Sequence, residues 1–127
     1  MFRLLSPVLV DLIHDEVQNP GELAGRARDK SLDSVLGRVN NRLAYGMIDD
    51  ASSLAAHYAA AIAQGHCFNE ANKRTAFRSL YAVLDLNGIG VTLETKATSD
   101  RIIQLAQGKL SPDDLAAWLK EQVNGAT

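Results

Sequence analysis

One short segment holds most of the residues that could do chemistry. It runs from His66 to Phe77 and reads HCFNEANKRTAF. An imidazole at His66 is followed by a carboxylate at Glu70. Two cations, Lys73 and Arg74, come directly after them. Because the ordinary pKa of histidine lies near neutral pH, this residue type suits a general base. The segment therefore predicts a site that holds a metal-bound polyphosphate beside a base.

The two cations fall where the segment enters a predicted helix. Backbone N–H groups at a helix N-terminus lack partners within the helix and attract anions. Lys73 and Arg74 oppose the helix dipole at this place unless an anion binds in front of them. We expect both to hold phosphate groups, with the Asn72 amide as a further donor. We expect Glu70 to hold Mg²⁺, which prefers one or two carboxylates together with phosphate oxygens.

Two other chemistries are open to the same residues. Cys67 could act as a nucleophile, but only His66 is near enough in the sequence to support it. A zinc site built on His66 and Glu70 needs a third ligand. The remaining histidines, His14 and His57, lie within helical patterns where a packing role is expected.

The elements that position the segment read as helices throughout. Apolar residues recur at helical spacing near residues 9–17, 31–44, 54–65, 71–86, 99–107 and from 111 onward. The third helix is rich in alanine and is expected to be central, with Gly65 ending it in the left-handed conformation. Residues 21–30 read as a loop and residues 89–93 as a short extended piece. The predicted class is all-α, a compact bundle of about six helices.

Composition limits the broad class of protein. The 127 residues, 46% hydrophobic and 22% charged, predict one domain over residues 1–127 with a true core. The net charge of −2 gives no basic field, so direct nucleic-acid binding is not expected. Asp11 interrupts the N-terminal apolar run too early for a secretory signal or membrane span. We expect a soluble cytoplasmic protein without a membrane partner.

The segment also resembles a known family. HCFNEANKR meets every fixed position of the Fic/Doc motif H-x-F-x-[DE]-[AG]-N-[GK]-R. Ala71 and Lys73 are typical of the Doc branch, the toxins of Doc–Phd toxin–antitoxin modules. The stretches at 13–15, 37–46 and 86–91 are also similar to Doc sequences. The resemblance implies a helical Fic fold and a toxin neutralised by a C-terminal helical segment of a Phd-like antitoxin.

The resemblance further implies an activity and a set of site residues. It implies a kinase that transfers the ATP γ-phosphate to a threonine or serine hydroxyl of elongation factor Tu, arresting translation and growth. His66 would be the catalytic base, with Arg74 also catalytic, and Glu70 the Mg²⁺ ligand. The nucleotide-binding set would be Phe68, Ala71, Asn72, Lys73 and Arg74. The apolar Phe68 is also expected to point inward and anchor the segment.

Two positions bear on which phosphate moves. Most Fic enzymes transfer AMP and carry glycine where this chain has Lys73, whose side chain would fill a second phosphate pocket. Phe77 replaces the second arginine of the full motif, which again favours phosphate transfer. Nucleotidyl transfer to a protein hydroxyl, or a catalytically degenerate module that binds phosphate or antitoxin, remains the alternative.

Two observations concern partners. The inhibitory motif [ST]-x-x-x-E-[GN] of some Fic proteins does not occur in the sequence. We therefore expect the activity to be inhibited by a separate partner protein, through an amphipathic helix that binds in an apolar groove of this chain. Arg38 and Arg42, one turn apart on the second predicted helix, could bind that partner or the substrate, or form a solvated face.

Overall fold

Six helices account for the fold in the computed structural model, which describes residues 1–125. They are α1 (Pro7–Val17), α2 (Leu32–Ala44), α3 (Ala51–Gly65), α4 (Asn72–Leu86), α5 (Thr95–Ala106) and α6 (Pro112–Gly125). The described residues form no strand, and an isolated bridge joins Arg26 to Phe68. The all-α prediction is confirmed. The single domain predicted over 1–127 includes residues 126 and 127, which lie outside the described residues.

The alanine-rich helix α3 lies at the centre, as predicted. Nearly all of its residues are buried, and it packs against α2, α4, α5 and α6. Small side chains such as Ala55, Ala59 and Ala63 let the neighbouring helices approach closely. Tyr58 is fully buried and its hydroxyl donates a hydrogen bond to Asn40 on α2. The end of α3 is therefore a rigid base for the motif that follows it.

The fifth helix begins earlier than predicted. We expected it to begin at residue 99, where Ser99 and Asp100 resemble the start of a helix, but α5 starts at Thr95. The Glu94 carboxylate accepts a hydrogen bond from the Ala97 N–H and so caps the first turn. Asp100 instead pairs with Lys96 one turn away, at 2.9 Å. The cap signal at 99–100 lies inside the helix, so the predicted start was wrong by one turn.

The piece predicted to be extended, residues 89–93, forms no strand. It is tied to α4 by Leu93, whose N–H donates to the Tyr81 hydroxyl at 2.8 Å. No helix within residues 1–125 combines the length and the apolar character needed to cross a membrane.

Candidate active site

The motif loop, residues 66–71, connects α3 to α4 and is bounded by two left-handed residues. His66 has φ 49° and Ala71 has φ 66°. Asp29 is the other non-glycine residue with positive φ in the part of the chain that the structure describes. Such a conformation costs about 1–2 kcal/mol at a residue with a side chain. Both ends of the loop are therefore held in place by contacts elsewhere.

Gly65 does not have the predicted left-handed conformation. It is the last residue of α3, and His66 adopts the left-handed geometry instead. A Cβ atom at position 65 would lie 3.1 Å from Val35 Cγ2 and 3.3 Å from Cys67 Sγ. Glycine is needed here for close packing of α3 against α2 and the motif loop, so that part of the prediction was wrong.

His14 on α1 holds the motif loop in place through two contacts. Its ring stacks on Phe68, with centroids 4.0 Å apart and planes 7° apart. Phe68 is buried, which confirms that it points inward and anchors the loop. His14 Nε2 lies 2.8 Å from the backbone oxygen of Glu70. A carbonyl oxygen can only accept, so Nε2 carries the proton. Sequence reasoning left His14 as a packing residue of α1 and missed this support.

Asn72 closes the loop from the other end. Its side-chain Oδ1 accepts from the Phe68 N–H at 3.1 Å, and its Nδ2 donates to the Phe68 carbonyl at 2.9 Å. The amide that was expected to reach phosphate is thus engaged with the backbone of the loop. One N–H of Nδ2 remains beyond this pair of bonds.

The loop before α2 also holds the motif loop in place, through backbone hydrogen bonds. The Ala27 N–H donates to the Cys67 carbonyl at 2.7 Å, and the Asn69 N–H donates to the Gly25 carbonyl at 3.1 Å. Arg26 is held in turn by Asp11 on α1, at 2.6 Å. The motif loop is therefore bonded on both sides, which explains how its strained ends persist.

The N-terminus of α4 has no side-chain cap. Its N-cap residue, Ala71, offers no acceptor. The five other helices in residues 1–125 each have a side-chain oxygen that accepts from a first-turn N–H, supplied by Ser6, Ser31, Asp50, Glu94 and Ser111. The free N–H groups and the positive end of the α4 dipole are thus open to an anion.

A cavity of about 240 Å³ lies at this uncapped end. The structure brings together five of the seven predicted site residues there: His66, Ala71, Asn72, Lys73 and Arg74. The other two, Phe68 and Glu70, do not line the cavity. Lys73 is exposed and Arg74 half-buried, so both cations can reach an anion in front of the helix. A base and an anion-binding helix end therefore share one small space.

Arg74 is also bound to its own chain. Its Nη1 donates to the Val17 carbonyl at the end of α1, at 2.7 Å, and its Nη2 donates to the Glu22 carboxylate. The bond from Arg74, with one from the Asn19 N–H, lowers the pKa of the Glu22 carboxyl. Glu22 lies in the loop after α1, far from the motif in sequence, and sequence reasoning did not find it.

Glu70 is exposed and its carboxylate accepts a hydrogen bond from the Leu23 N–H. Within residues 1–125 no three histidine, cysteine, aspartate or glutamate side chains converge to hold a metal. Glu70 is the only acidic residue of the motif loop. A cation beside it would take its other ligands from phosphate oxygens and water, which is how Mg²⁺ is usually held. The residues present therefore fit Mg²⁺ bound together with a polyphosphate.

A larger cleft of about 830 Å³ adjoins the cavity, and Lys73 and Arg74 line both. Its other lining residues come from α1, α4 and α5: Glu16, Val17, Phe77, Arg78, Thr95, Ser99, Ile102 and Ile103. Its size is typical of small-molecule sites, and its apolar lining also suits a helix face.

Cys67 is poorly suited to be a nucleophile. Its side chain is buried, and burial raises the pKa of the thiol. The thiolate is the reactive form, so this environment disfavours it.

Comparison with known proteins agrees with this geometry. Residues 4–84 match the sequence model of the Fic/DOC family, and the chain belongs to that family. Among its relatives is the protein kinase Doc of Escherichia phage P1. The two are 34% identical over 125 residues, which cover 98% of each chain. The resemblance to a Doc toxin and the Fic fold predicted from the sequence are confirmed.

Proposed function

We propose that this protein is a Doc-type kinase that transfers the γ-phosphate of ATP to a threonine or serine hydroxyl of a protein. The observation that carries the proposal is the uncapped N-terminus of α4, which opens beside His66 and carries Lys73 and Arg74 in its first turn. The similarity to the protein kinase Doc of phage P1 supports it.

Each site residue then has a role. His66 accepts the proton of the target hydroxyl as that oxygen attacks phosphorus. Lys73, Arg74 and the free N–H groups of α4 bind the phosphate oxygens and stabilise their charge. Mg²⁺ held by Glu70 would neutralise charge on the phosphates.

The remaining motif residues act through the loop. Phe68 and Asn72 set the positions of His66 and Glu70 by their contacts with His14 and with the loop backbone. Ala71 leaves the helix end open because it has no side-chain acceptor that would compete with phosphate.

Lys73 supports phosphoryl transfer over nucleotidyl transfer. Its side chain lines both the cavity beside His66 and the larger cleft, and so occupies the boundary between them. Phe77 contributes an apolar ring to the cleft where a second arginine would bind further phosphate charge. Arg78 also lines the cleft, so the support for phosphoryl transfer comes from Lys73 at the boundary and from Phe77 at the motif position itself.

Transfer of label tests this function. The purified protein is incubated with elongation factor Tu and with ATP labelled at either the α- or the γ-phosphate. We expect label on the target only from the γ-position, and none with the His66→Ala variant. Label from the α-position alone would establish nucleotidyl transfer instead.

We further propose that the activity makes the protein a cytoplasmic toxin that acts on elongation factor Tu and is held in check by a Phd-like antitoxin. A C-terminal amphipathic helix of the antitoxin suits the cleft lined by Val17, Phe77 and Ile102. Because Lys73 and Arg74 line this cleft too, such a helix would exclude the nucleotide.

Growth measurements test the toxin role. Expression is expected to arrest growth, and His66→Ala or co-expression of the antitoxin is expected to restore it. Arrest that persists with His66→Ala would show that catalysis is not its cause, and would favour a module that acts by binding alone.

A further inference from the structure

A second concave surface lies between α2 and α3, beyond the site described above. It encloses about 440 Å³, and we call it the α2–α3 groove. Its floor is apolar, formed by Val35, Val39, Ala60 and Ala61. Its remaining lining residues are polar or lie at the ends of helices: Arg38, Arg42, His57, Gln64, Gly65, Pro112 and Asp113.

Two arginines give the groove its charge. Arg38 and Arg42 are exposed and one turn apart, so their guanidinium groups project from the same side of α2. Neither has an ion-pair partner in the described stretch 1–125, whereas Arg26 is paired with Asp11. The acid that lines the groove, Asp113, lies 3.3 Å from His57 Nε2 rather than against an arginine.

The groove extends to the residue that precedes the catalytic histidine. Gly65 lines one end of it and directly precedes His66. Ala61 lines the groove, whereas Ala63 lines the cavity of about 240 Å³ at the end of α4. Residues two apart on a helix point about 200° apart, so the groove and the cavity lie on opposite sides of α3. His66 lines the cavity, and the residue before it, Gly65, lines the groove, so the two concave surfaces meet at the end of α3.

We propose that the α2–α3 groove docks an acidic segment of the protein substrate, next to the hydroxyl that His66 activates. The inference rests on the proposed kinase function. Two unpaired guanidinium groups above an apolar floor fit carboxylates interspersed with apolar side chains, because arginine binds carboxylates bidentately. The position favours the substrate as the occupant: phosphate enters on one side of His66, and the attacking hydroxyl comes from the other.

Kinetics of an Arg38→Gln/Arg42→Gln variant test the proposal. With ATP saturating, the concentration of elongation factor Tu, or of whichever protein the labelling above identifies, is varied. We expect KM for the protein to rise about ten-fold, with kcat and KM for ATP unchanged, because two charge-assisted contacts to the protein are lost. Added salt should raise the wild-type KM and have little effect on the variant.

A matched variant controls for net charge. Arg3→Gln/Lys109→Gln removes two positive charges from exposed positions away from the groove, and its KM is expected to equal that of the wild type. A glutamate-rich peptide should compete with the protein substrate in the wild type and much less in the Arg38→Gln/Arg42→Gln variant.

Several results would overturn the inference. An unchanged protein KM in the groove variant, with γ-phosphate transfer intact, removes the docking role and leaves the kinase function standing. Weakened binding of the antitoxin with an unchanged KM assigns the groove to the antitoxin instead. If the wild type transfers no label to any protein, the kinase function fails, and the docking role fails with it.

Discussion

Replacing His14 with phenylalanine separates the two contacts by which this buried residue holds the motif loop. Phenylalanine keeps an aromatic ring to stack on Phe68, now 4.0 Å from the His14 ring. It removes the donor that lies 2.8 Å from the Glu70 carbonyl. The lost hydrogen bond and the unpaired carbonyl together should lower the free energy of unfolding by about 1–2 kcal/mol.

The effect on turnover should exceed the effect on stability. The loop carries His66 and Glu70, and misplacement of reacting groups by about 1 Å can lower a rate about 100-fold. We expect kcat of His14→Phe to fall at least about ten-fold under conditions where the variant stays folded. Urea unfolding followed by circular dichroism gives the stability, and γ-phosphate transfer at saturating ATP gives kcat.

His14→Gln provides the complementary variant. Glutamine keeps an N–H donor for the Glu70 carbonyl and loses the stacking on Phe68. We expect it to retain more activity than His14→Phe if the hydrogen bond sets the loop, although it loses packing. If the free energy of unfolding and the kcat of His14→Phe both equal those of the wild type, His14 does not position the loop.

Three further outcomes are expected. Glu22→Gln should lower Tm near neutral pH, because the lowered pKa of Glu22 gives stability that is lost as the carboxylate is protonated. The difference in Tm should shrink as the pH falls through this lowered pKa and vanish below it; a difference constant with pH, in thermal melts, would contradict this. Ala71→Gly should raise the free energy of unfolding by about 0.5–1 kcal/mol, since glycine adopts φ 66° without strain; lower stability in urea would argue against strain at this residue. Glu70→Gln should raise the Mg²⁺ concentration needed for half-maximal activity, and an unchanged Mg²⁺ titration would remove Glu70 as the ligand.

Features that depend on residues close together in the chain, such as most helix ends, could be predicted from the sequence. The helix predicted over residues 31–44 is α2, Leu32–Ala44 with Ser31 as its N-cap, and α4 ends at Leu86 with Asn87 as its C-cap, because a helix end depends on residues within one turn. The motif also lies where a loop enters a helix, as its composition indicated. The start of α5 was predicted wrongly because Glu94, a less usual N-cap residue, precedes the stronger cap signal at Ser99.

Contacts between distant residues could not be predicted from patterns. His14 meets the Glu70 carbonyl across 56 residues, and Glu22 meets Arg74 across 52. Neither pairing leaves a periodic signal, since each depends on how α1 packs against α4. The need for glycine at position 65 could not be predicted either, because it arises from the close approach of the Val35 side chain on another helix.

In the proposed reaction, His66 activates a target hydroxyl that attacks the terminal phosphate of ATP held at the end of α4. Intact mass spectrometry of elongation factor Tu after incubation with the protein, ATP and Mg²⁺ tests this most directly. We expect the added mass of one phosphoryl group, with ADP as the released product and no addition by His66→Ala. The added mass of a nucleoside monophosphate, or a phosphoryl group that still appears with His66→Ala, would contradict it.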